Sequence, residues 1–470
     1  MPIIFYVERK VQKLMPLTTQ SKRNSPSLPM RMIAVSFAAV ILVGTLLLML
    51  PVSSNDGQAS EFLDCLFTAT SATCVTGLIV FDTYVKWSVF GKVVILMLIQ
   101  IGGLGLITFT TFFNVAIGRK LGLRNMQLAQ ESLNTTTFFD VTHLVKAVVF
   151  ISLAVEFCGA VILSTTFVPK YGLEGIFISI FMSISSFCNA GFDLLGMEGE
   201  YTSLCNYNGN PVVMLTVSAL IIIGGLGFLV WKDIYTYRKT KNLMLHTKIV
   251  LIMTGLLILF GMLMFLVIEW NNPATLGSLP VSERFTAAFF QSVTLRTAGF
   301  NSIDINSLHG LTKLGCIALM FIGAAPGSTA GGIKVTTFAV IVMTVISVIR
   351  GKGDTIILKR RVEKNVVYKS LAVVCIAVLA VFISSVIIYF TNQAHAEVNG
   401  VNALFESVSA FATVGVSTGV TGVANIPSKI ILIMTMFIGR VGPVSLALAL
   451  ALRGKPPKDV IIPDGKILVG

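Results

Sequence analysis

The chain has 470 residues, 54% of them hydrophobic and only 12% charged, with a mean hydropathy of +0.85. That balance excludes an ordinary soluble domain, whose charged share is about 25%, and places the chain in a lipid bilayer. A formal net charge of +13 does not point to nucleic acid, because the basic residues sit in short loops beside apolar stretches, where membrane orientation accounts for them.

In chain order, stretches apolar and long enough to cross a hydrocarbon core, which takes about 20 residues, cover Ile33 to Val52, Val93 to Ile117, Val145 to Val168, Val212 to Val230, Ile249 to Ile268, Leu311 to Ile349, Val366 to Phe390 and Ile430 to Leu452. Eight transmembrane helices are expected. The first follows a polar tail without a small-residue cleavage site, so it reads as a retained helix rather than a signal peptide. Of the 35 Lys and Arg residues, 26 fall in the two terminal tails and in 119–146, 232–248 and 350–369, against seven on the other side. Basic residues gather on the cytoplasmic side, so both termini are expected to be cytoplasmic in a multi-pass protein of the cell membrane. The run 350–369 reads as a solvated face, with anionic lipid or a docked partner as alternatives.

Between successive pairs of spans lie four half-apolar segments too short to cross: Phe67 to Gly77, Phe181 to Gly191, Phe289 to Gly299 and Phe405 to Gly415. Each has Phe ten positions before Gly, with small or hydroxylated residues between, and the glycines are 114, 108 and 116 residues apart. A second mark recurs in the following span, as Ile101-Gly-Gly-Leu-Gly105, Ile223-Gly-Gly-Leu-Gly227, Ile322-Gly-Ala-Ala-Pro-Gly327 and Ile438-Gly-Arg-Val-Gly442. Such self-similarity defines the fold. The expected class is an all-α integral membrane protein of four helix, pore loop, helix repeats, with four re-entrant pore helices in pseudo-fourfold symmetry around one pore. An even number of crossings leaves every copy in one orientation, with the symmetry axis along the membrane normal. The divisions are a tail 1–31, repeats 32–118, 119–240, 241–352 and 353–453, and a tail 454–470.

Irregular backbone at membrane depth is tolerated only inside protein or along a water-filled cavity. Four extended segments around an axis can turn carbonyl oxygens inward to replace the hydration shell of a dehydrated cation, and glycine suits the crowded turn. The candidate selectivity filter is Thr73, Cys74, Val75, Thr76 and Gly77; Phe187, Cys188, Asn189, Ala190 and Gly191; Leu295, Arg296, Thr297, Ala298 and Gly299; and Phe411, Ala412, Thr413, Val414 and Gly415. The alternative is a set of helix-packing glycines, and the later glycine marks keep that reading.

Two features suggest a gate. Residues 323–332, with Gly323, Pro326, Gly327, Ser328, Thr329, Gly331 and Gly332, cannot continue a helix, so a loop facing the cavity is expected in the span 311–349; the alternative is a kink. Arg440 lies within a span, where a charge usually faces a cavity, as a barrier to cations or an anchor for the loop; a lipid-snorkelling or carboxylate-paired arginine is the alternative. Lys334 follows the loop as its lower anchor or as an interfacial lysine. Only the third repeat is expected to carry a broken helix, and only the fourth the arginine. Asp64, Glu283 and Glu406 complement short-helix dipoles, with Glu406 pairing Arg296 behind the filter, and Glu156 reads as a hydrogen-bonded structural acid or a proton carrier. The seven cysteines and the four dispersed histidines follow no ligand spacing, so no transition metal and no cofactor is assigned to this chain.

At Ser71-Ala-Thr-Cys-Val-Thr-Gly77, Asn189-Ala-Gly191-Phe, Arg296-Thr-Ala-Gly299-Phe-Asn301, Ala330-Gly-Gly-Ile-Lys334 and Gly439-Arg-Val-Gly-Pro443, the chain resembles the Trk/Ktr/HKT superfamily of K+ transporters, specifically the membrane subunit of the bacterial Ktr type. The resemblance implies K+ uptake, a homodimer with one pore per subunit, an intramembrane gating loop and a separate cytosolic nucleotide-binding regulatory ring. It also implies that serine in place of the first filter glycine goes with Na+ preference; this chain has Gly77. Na+ as an activator is typical of Ktr systems, though no residue argues for it. The rival reading is a Na+- or H+-coupled solute symporter, which should show inverted repeats and side-chain ligands at the midplane. A membrane enzyme would need nucleophile, base or metal ligands that the chain does not assemble.

Overall fold

The computed structural model describes residues 27–105, 108, 111–112, 141–395 and 398–442. Most of the N-terminal tail, most of the basic loop from Arg119, Pro443 and the far ends of the spans 93–117 and 430–452, and the C-terminal tail lie outside the described residues.

The helices are α1 (Ser27–Leu48), α2 (Phe62–Cys74), α3 (Val89–Leu104), α4 (Val141–Tyr171), α5 (Glu174–Cys188), α6 (Pro211–Leu226), α7 (Phe228–Thr240), α8 (Leu245–Ile268), α9 (Val281–Thr294), α10 (Gly310–Phe321), α11 (Val335–Ile349), α12 (Lys364–Thr391), α13 (Gly400–Ala412) and α14 (Ile426–Val441). A two-residue hairpin pairs Ile356–Ile357 with Arg360–Arg361. Four times over, a long helix is followed by a short buried one and then by a second helix.

The first helices α1, α4, α8 and α12 have 22 to 31 residues. At about 1.5 Å per residue each exceeds the roughly 30 Å of hydrocarbon. Their outer faces are apolar, as with Phe157 at 71% and Val267 at 78% exposure, the inverse of a soluble surface. These four are long and apolar enough to cross a membrane, and a fifth span arises if α6 and α7 count as one bent pair.

Outside the third repeat, where a break was expected, the second helices also stop at a glycine within their apolar stretches. Helix α3 stops at Gly105 (φ 81°), α14 at Gly442 (φ 94°) and α6 at Gly227 (φ 89°), where α7 leaves α6 at 93°. Each is the last glycine of a repeated mark, in backbone space that side chains resist. Among the described residues a broken second helix is therefore seen in the second repeat as well as in the third, where it was expected. The third differs in the length of its interruption, from Phe321 to Val335.

The short helices α2, α5, α9 and α13 have 13 to 15 residues, too few to span, and occupy the centre. Phe67, Phe181 and Phe405, ten positions before the glycines, are fully buried; in α9 Phe290 takes that place and Phe289 is partly covered. Lipid is as apolar as these rings, so dense packing rather than transfer from water holds them.

Candidate functional site

Every short helix is followed by the same left-handed turn. Two residues before each glycine the chain turns left-handed, at Val75, Asn189, Thr297 and Thr413 (φ 53–73°), and the glycines 77, 191, 299 and 415 follow at φ 72–91°. In repeats one, two and four the turn is closed by identical bonds: the Thr76, Ala190 and Val414 N–H groups donate to the Ser71, Ser185 and Ser409 carbonyls at 2.8 Å. The same serines add side-chain ties. The Ser71 and Ser409 hydroxyls accept from the Gly77 and Gly415 N–H groups at 3.1 Å, and Ser185 donates to the Phe192 carbonyl at 2.6 Å. The third repeat has Val293 there, its helix stops at Thr294, and Ser302 bonds Gln291 instead.

The four glycines meet in a closed ring. A Cβ on Gly77 would lie 2.6 Å from the Ala190 carbonyl oxygen, one on Gly191 2.7 Å from that of Ala298, and one on Gly299 2.7 Å from that of Val414; one on Gly415 would collide with the Thr76 carbonyl oxygen. Each glycine thus abuts the oxygen preceding the next repeat's glycine, in the order one, two, three, four and back to one. No side chain fits between them.

Not every expected filter residue belongs to the extended part. Thr73, Cys74, Phe187, Cys188, Phe411 and Ala412 still lie in the last helical turn, and Leu295 caps α9. The Thr73, Phe187 and Phe411 carbonyl oxygens touch Gly102, Gly224 and Gly439, where any Cβ would overlap them. In repeats one, two and four the first glycine of the later mark therefore lets a second helix press against the backbone end of a short helix, whereas Gly323 of the third meets the Gly331 carbonyl of its own segment.

On the side of residues following the glycines, a cavity of about 650 Å³ is lined by all four glycines and by Asp82, Asp193 and Asp304, with no basic side chain among the described lining residues. On the opposite side lies the segment between α10 and α11. It closes on itself through Gly323 N–H to the Ile333 carbonyl (2.8 Å) and Val335 N–H to the Ala324 carbonyl (3.1 Å). It is also tied to repeat two. Ala325 donates to Gly225 at 3.1 Å, Phe228 to Gly327 at 2.9 Å, and the Thr329 hydroxyl to the Phe187 carbonyl at 3.2 Å. Gly331 and Gly332 pack against Thr413 and Ala412 of repeat four, Ser328 bonds the Ala325 carbonyl, and Gly327 turns at φ 67° after Pro326.

Three cations hold this segment through carbonyls, Arg296 buried and Lys334 and Arg440 half-buried, and among the described residues none makes an ion pair. Arg440 donates to the Thr329, Gly102 and Gly103 carbonyls. Lys334 donates to Ala330 at 2.7 Å and Gly331 at 3.4 Å. Arg296 donates to Thr254 at 3.2 Å and Gly323 at 3.4 Å. The expected Glu406–Arg296 pair does not form: Glu406 lies within α13 and accepts from the Ser417 and Thr421 hydroxyls and the Thr418 N–H. Asp64 pairs with Lys429 at 2.6 Å, joining repeat one to repeat four. Glu156 accepts from Gln100 at 3.1 Å. The serines six positions before the glycines were the missed residues; the shared hydroxylated stretch was their signal, but one copy lacks it.

Comparison with known proteins agrees with this architecture. A family model described as "TrkH: Cation transport protein" matches residues 5–458. The Ktr system potassium uptake protein B of Bacillus subtilis is 41% identical over 94% of this chain and 97% of its own. The potassium/sodium uptake protein NtpJ of Enterococcus hirae is 36% identical over 97% of this chain and 100% of its own. The crystal structure of the potassium transporter TrkH from Vibrio parahaemolyticus superimposes with a TM-score of 0.69 over 92% of this chain and 87% of that one, at 18% identity.

Proposed function

From a chain that belongs to the TrkH family of cation transport proteins, a multi-pass membrane transporter and not an enzyme, we propose uptake of K+ through one central pore formed by four helix, pore loop, helix repeats. The observation that carries this reading is the closed ring of four glycines, each backed by the carbonyl oxygen of its neighbour. Backbone oxygens converging on an axis can take the place of water around a dehydrated cation. The negative ends of four short helices favour a cation beneath them. No chemical step is needed, since a negative-inside potential supplies about 2.3 kcal/mol per charge per 100 mV.

In this reading the segment 323–332 is the gate, held shut by Arg440 and Lys334, which also place positive charge on the ion's path. The kinship further supports a homodimer in membrane lipid, with both termini cytoplasmic and a soluble nucleotide-binding ring as regulator. Na+ enters as an activating ion on the strength of the relative named a potassium/sodium uptake protein. A Na+- or H+-coupled solute symporter is less well supported, because the described repeats run parallel and present backbone rather than side-chain ligands.

Rubidium uptake into vesicles at a clamped potential tests the filter. Gly77→Ser, whose new side chain would crowd the Ala190 oxygen, is expected to lower discrimination of Rb+ over Na+ by about tenfold. Unchanged discrimination in serine variants at all four glycines would sink the assignment.

A further inference from the structure

The third quarter of the ring lacks the tie that the other three share. Six positions before the glycine stand Ser71, Ser185 and Ser409, whose hydroxyls bond the strand, but Val293 in the third repeat. Valine has no polar atom for this task. The main-chain turn also differs there: the Ala298 N–H donates four residues back, to the Thr294 carbonyl at 2.9 Å, where the other repeats bond five residues back. Beyond Gly299 the strand is held from α9, since Gln291 accepts from both the N–H and the hydroxyl of Ser302 at 3.1 Å. Before the glycine it needs another support.

Three positions before each glycine the chain has Cys74, Cys188, Arg296 and Ala412. Three of these are small. Arg296 is long, yet only 6% exposed. Its guanidinium leaves the strand in two directions, donating to the Thr254 carbonyl of α8 at 3.2 Å and to the Gly323 carbonyl, where the segment below the ring begins, at 3.4 Å. The planar fork of donors suits such a bridge, because both bonds are fixed by one rigid group. A charge at membrane depth is costly and turns toward the protein interior. Here two backbone oxygens receive it.

We propose that Arg296 is the positioning residue of the third filter strand, standing in for the missing serine tie, and that the same side chain holds the start of segment 323–332. Gly299 has little latitude: a Cβ there would lie 2.7 Å from the Val414 oxygen and 2.9 Å from the Gly191 Cα, so a shift of this strand reaches both neighbours in the ring. The bond to α8 does not involve the segment, which lets the strand keep its place when the segment moves. The inference rests on the pore and gate reading above and deepens it.

Rb+ uptake by the full chain in vesicles at a clamped potential reads both roles, as Rb+/Na+ discrimination and as flux without the regulatory partner. Arg296→Gln is expected to lower discrimination about five- to tenfold and to raise flux about threefold, through loss of charge-assisted bonds. Arg296→Lys keeps a charged donor and is expected to lose only about two- to threefold in discrimination. Adding Val293→Ser to Arg296→Gln returns a hydroxyl to the strand and should recover about half of the lost discrimination while flux stays raised; a purely structural role would move the two readouts together. Wild-type discrimination in a folded Arg296→Gln protein overturns the assignment. So does a double variant no more selective than Arg296→Gln, or one in which flux recovers as well. If Arg296→Gln does not fold, Arg296→Lys with and without Val293→Ser makes the same comparison, and equal discrimination in the two overturns it. If Gly77→Ser still alters selectivity in those outcomes, the pore reading survives the loss of this assignment; if it does not, the pore reading fails on its own.

Discussion

The glycine ring and the segment beneath it occupy neighbouring space but are held by opposite means. The ring is built four times from backbone. Its turns are closed by main-chain bonds, tied by serine hydroxyls in three repeats, and backed in three by a glycine against a carbonyl oxygen. Such contacts leave no room for adjustment, because interiors packed this closely deform little. The segment 322–334 is built once. Its hold depends on long side chains, Arg296, Lys334 and Arg440, reaching carbonyls without a carboxylate partner. Charge-assisted bonds of this kind are strong but few, and each can be exchanged for water. If the segment is the gate proposed above, a fourfold part held by backbone would set selectivity and a part built once would set opening.

Three experiments would break or sharpen that contrast. The largest effect is expected from Gly439→Ala, whose Cβ would overlap the Phe411 carbonyl oxygen. Overpacking against backbone costs about 1–3 kcal/mol and should displace the fourth strand of the ring, seen as loss of thermal stability together with at least about tenfold poorer Rb+/Na+ discrimination in vesicles. Wild-type discrimination in this variant would mean the ring does not need its backing. Next, Arg440→Gln removes the charge that bonds Thr329 and Gly102. Loss of charge-assisted bonds worth about 1.5–3 kcal/mol should raise flux without the regulatory partner by about tenfold, with selectivity kept, and deletion of residues 323–332 should raise it further. A selectivity change larger than the flux change would erase the division of labour.

The smallest effect is a pH dependence. Burial and the neighbouring Asp82 push the Asp193 carboxyl up to about 6; Asp304 and the Cys205 thiol share its surroundings, and Tyr201 reaches it by way of Asp82. Above that pH Asp193 is charged, and on acidification from pH 7.5 to 5.5 it becomes neutral. Uptake at limiting Rb+ should therefore fall by about two- to threefold across this range, and Asp193→Asn should flatten the profile. An equal fall in the variant would assign the titration to another group.

Much of this was legible in the chain. The Phe and Gly ten apart recur four times, and the glycine register they define is the one that closes the ring, since only glycine tolerates that backbone at so crowded a place. The long first helices follow directly from apolar length. Hydropathy hid the breaks at Gly105, Gly227 and Gly442, because an apolar run reads the same whether its helix continues or turns. The later glycine marks read as helix-packing residues, and in repeats one, two and four the first glycine of each does pack against the end of a short helix, but which carbonyl it meets was set only by the fold.

The sequence by itself determined membrane residence, the repeat and the glycines, because these depend on composition and on local backbone freedom. Tertiary structure alone decided which acids and cations meet. Asp64 finds Lys429, Glu406 turns to hydroxyls instead of Arg296, and Arg440 reaches a loop one repeat away. Charges far apart along a chain have many possible partners, and in a low-dielectric interior only the packed geometry selects among them.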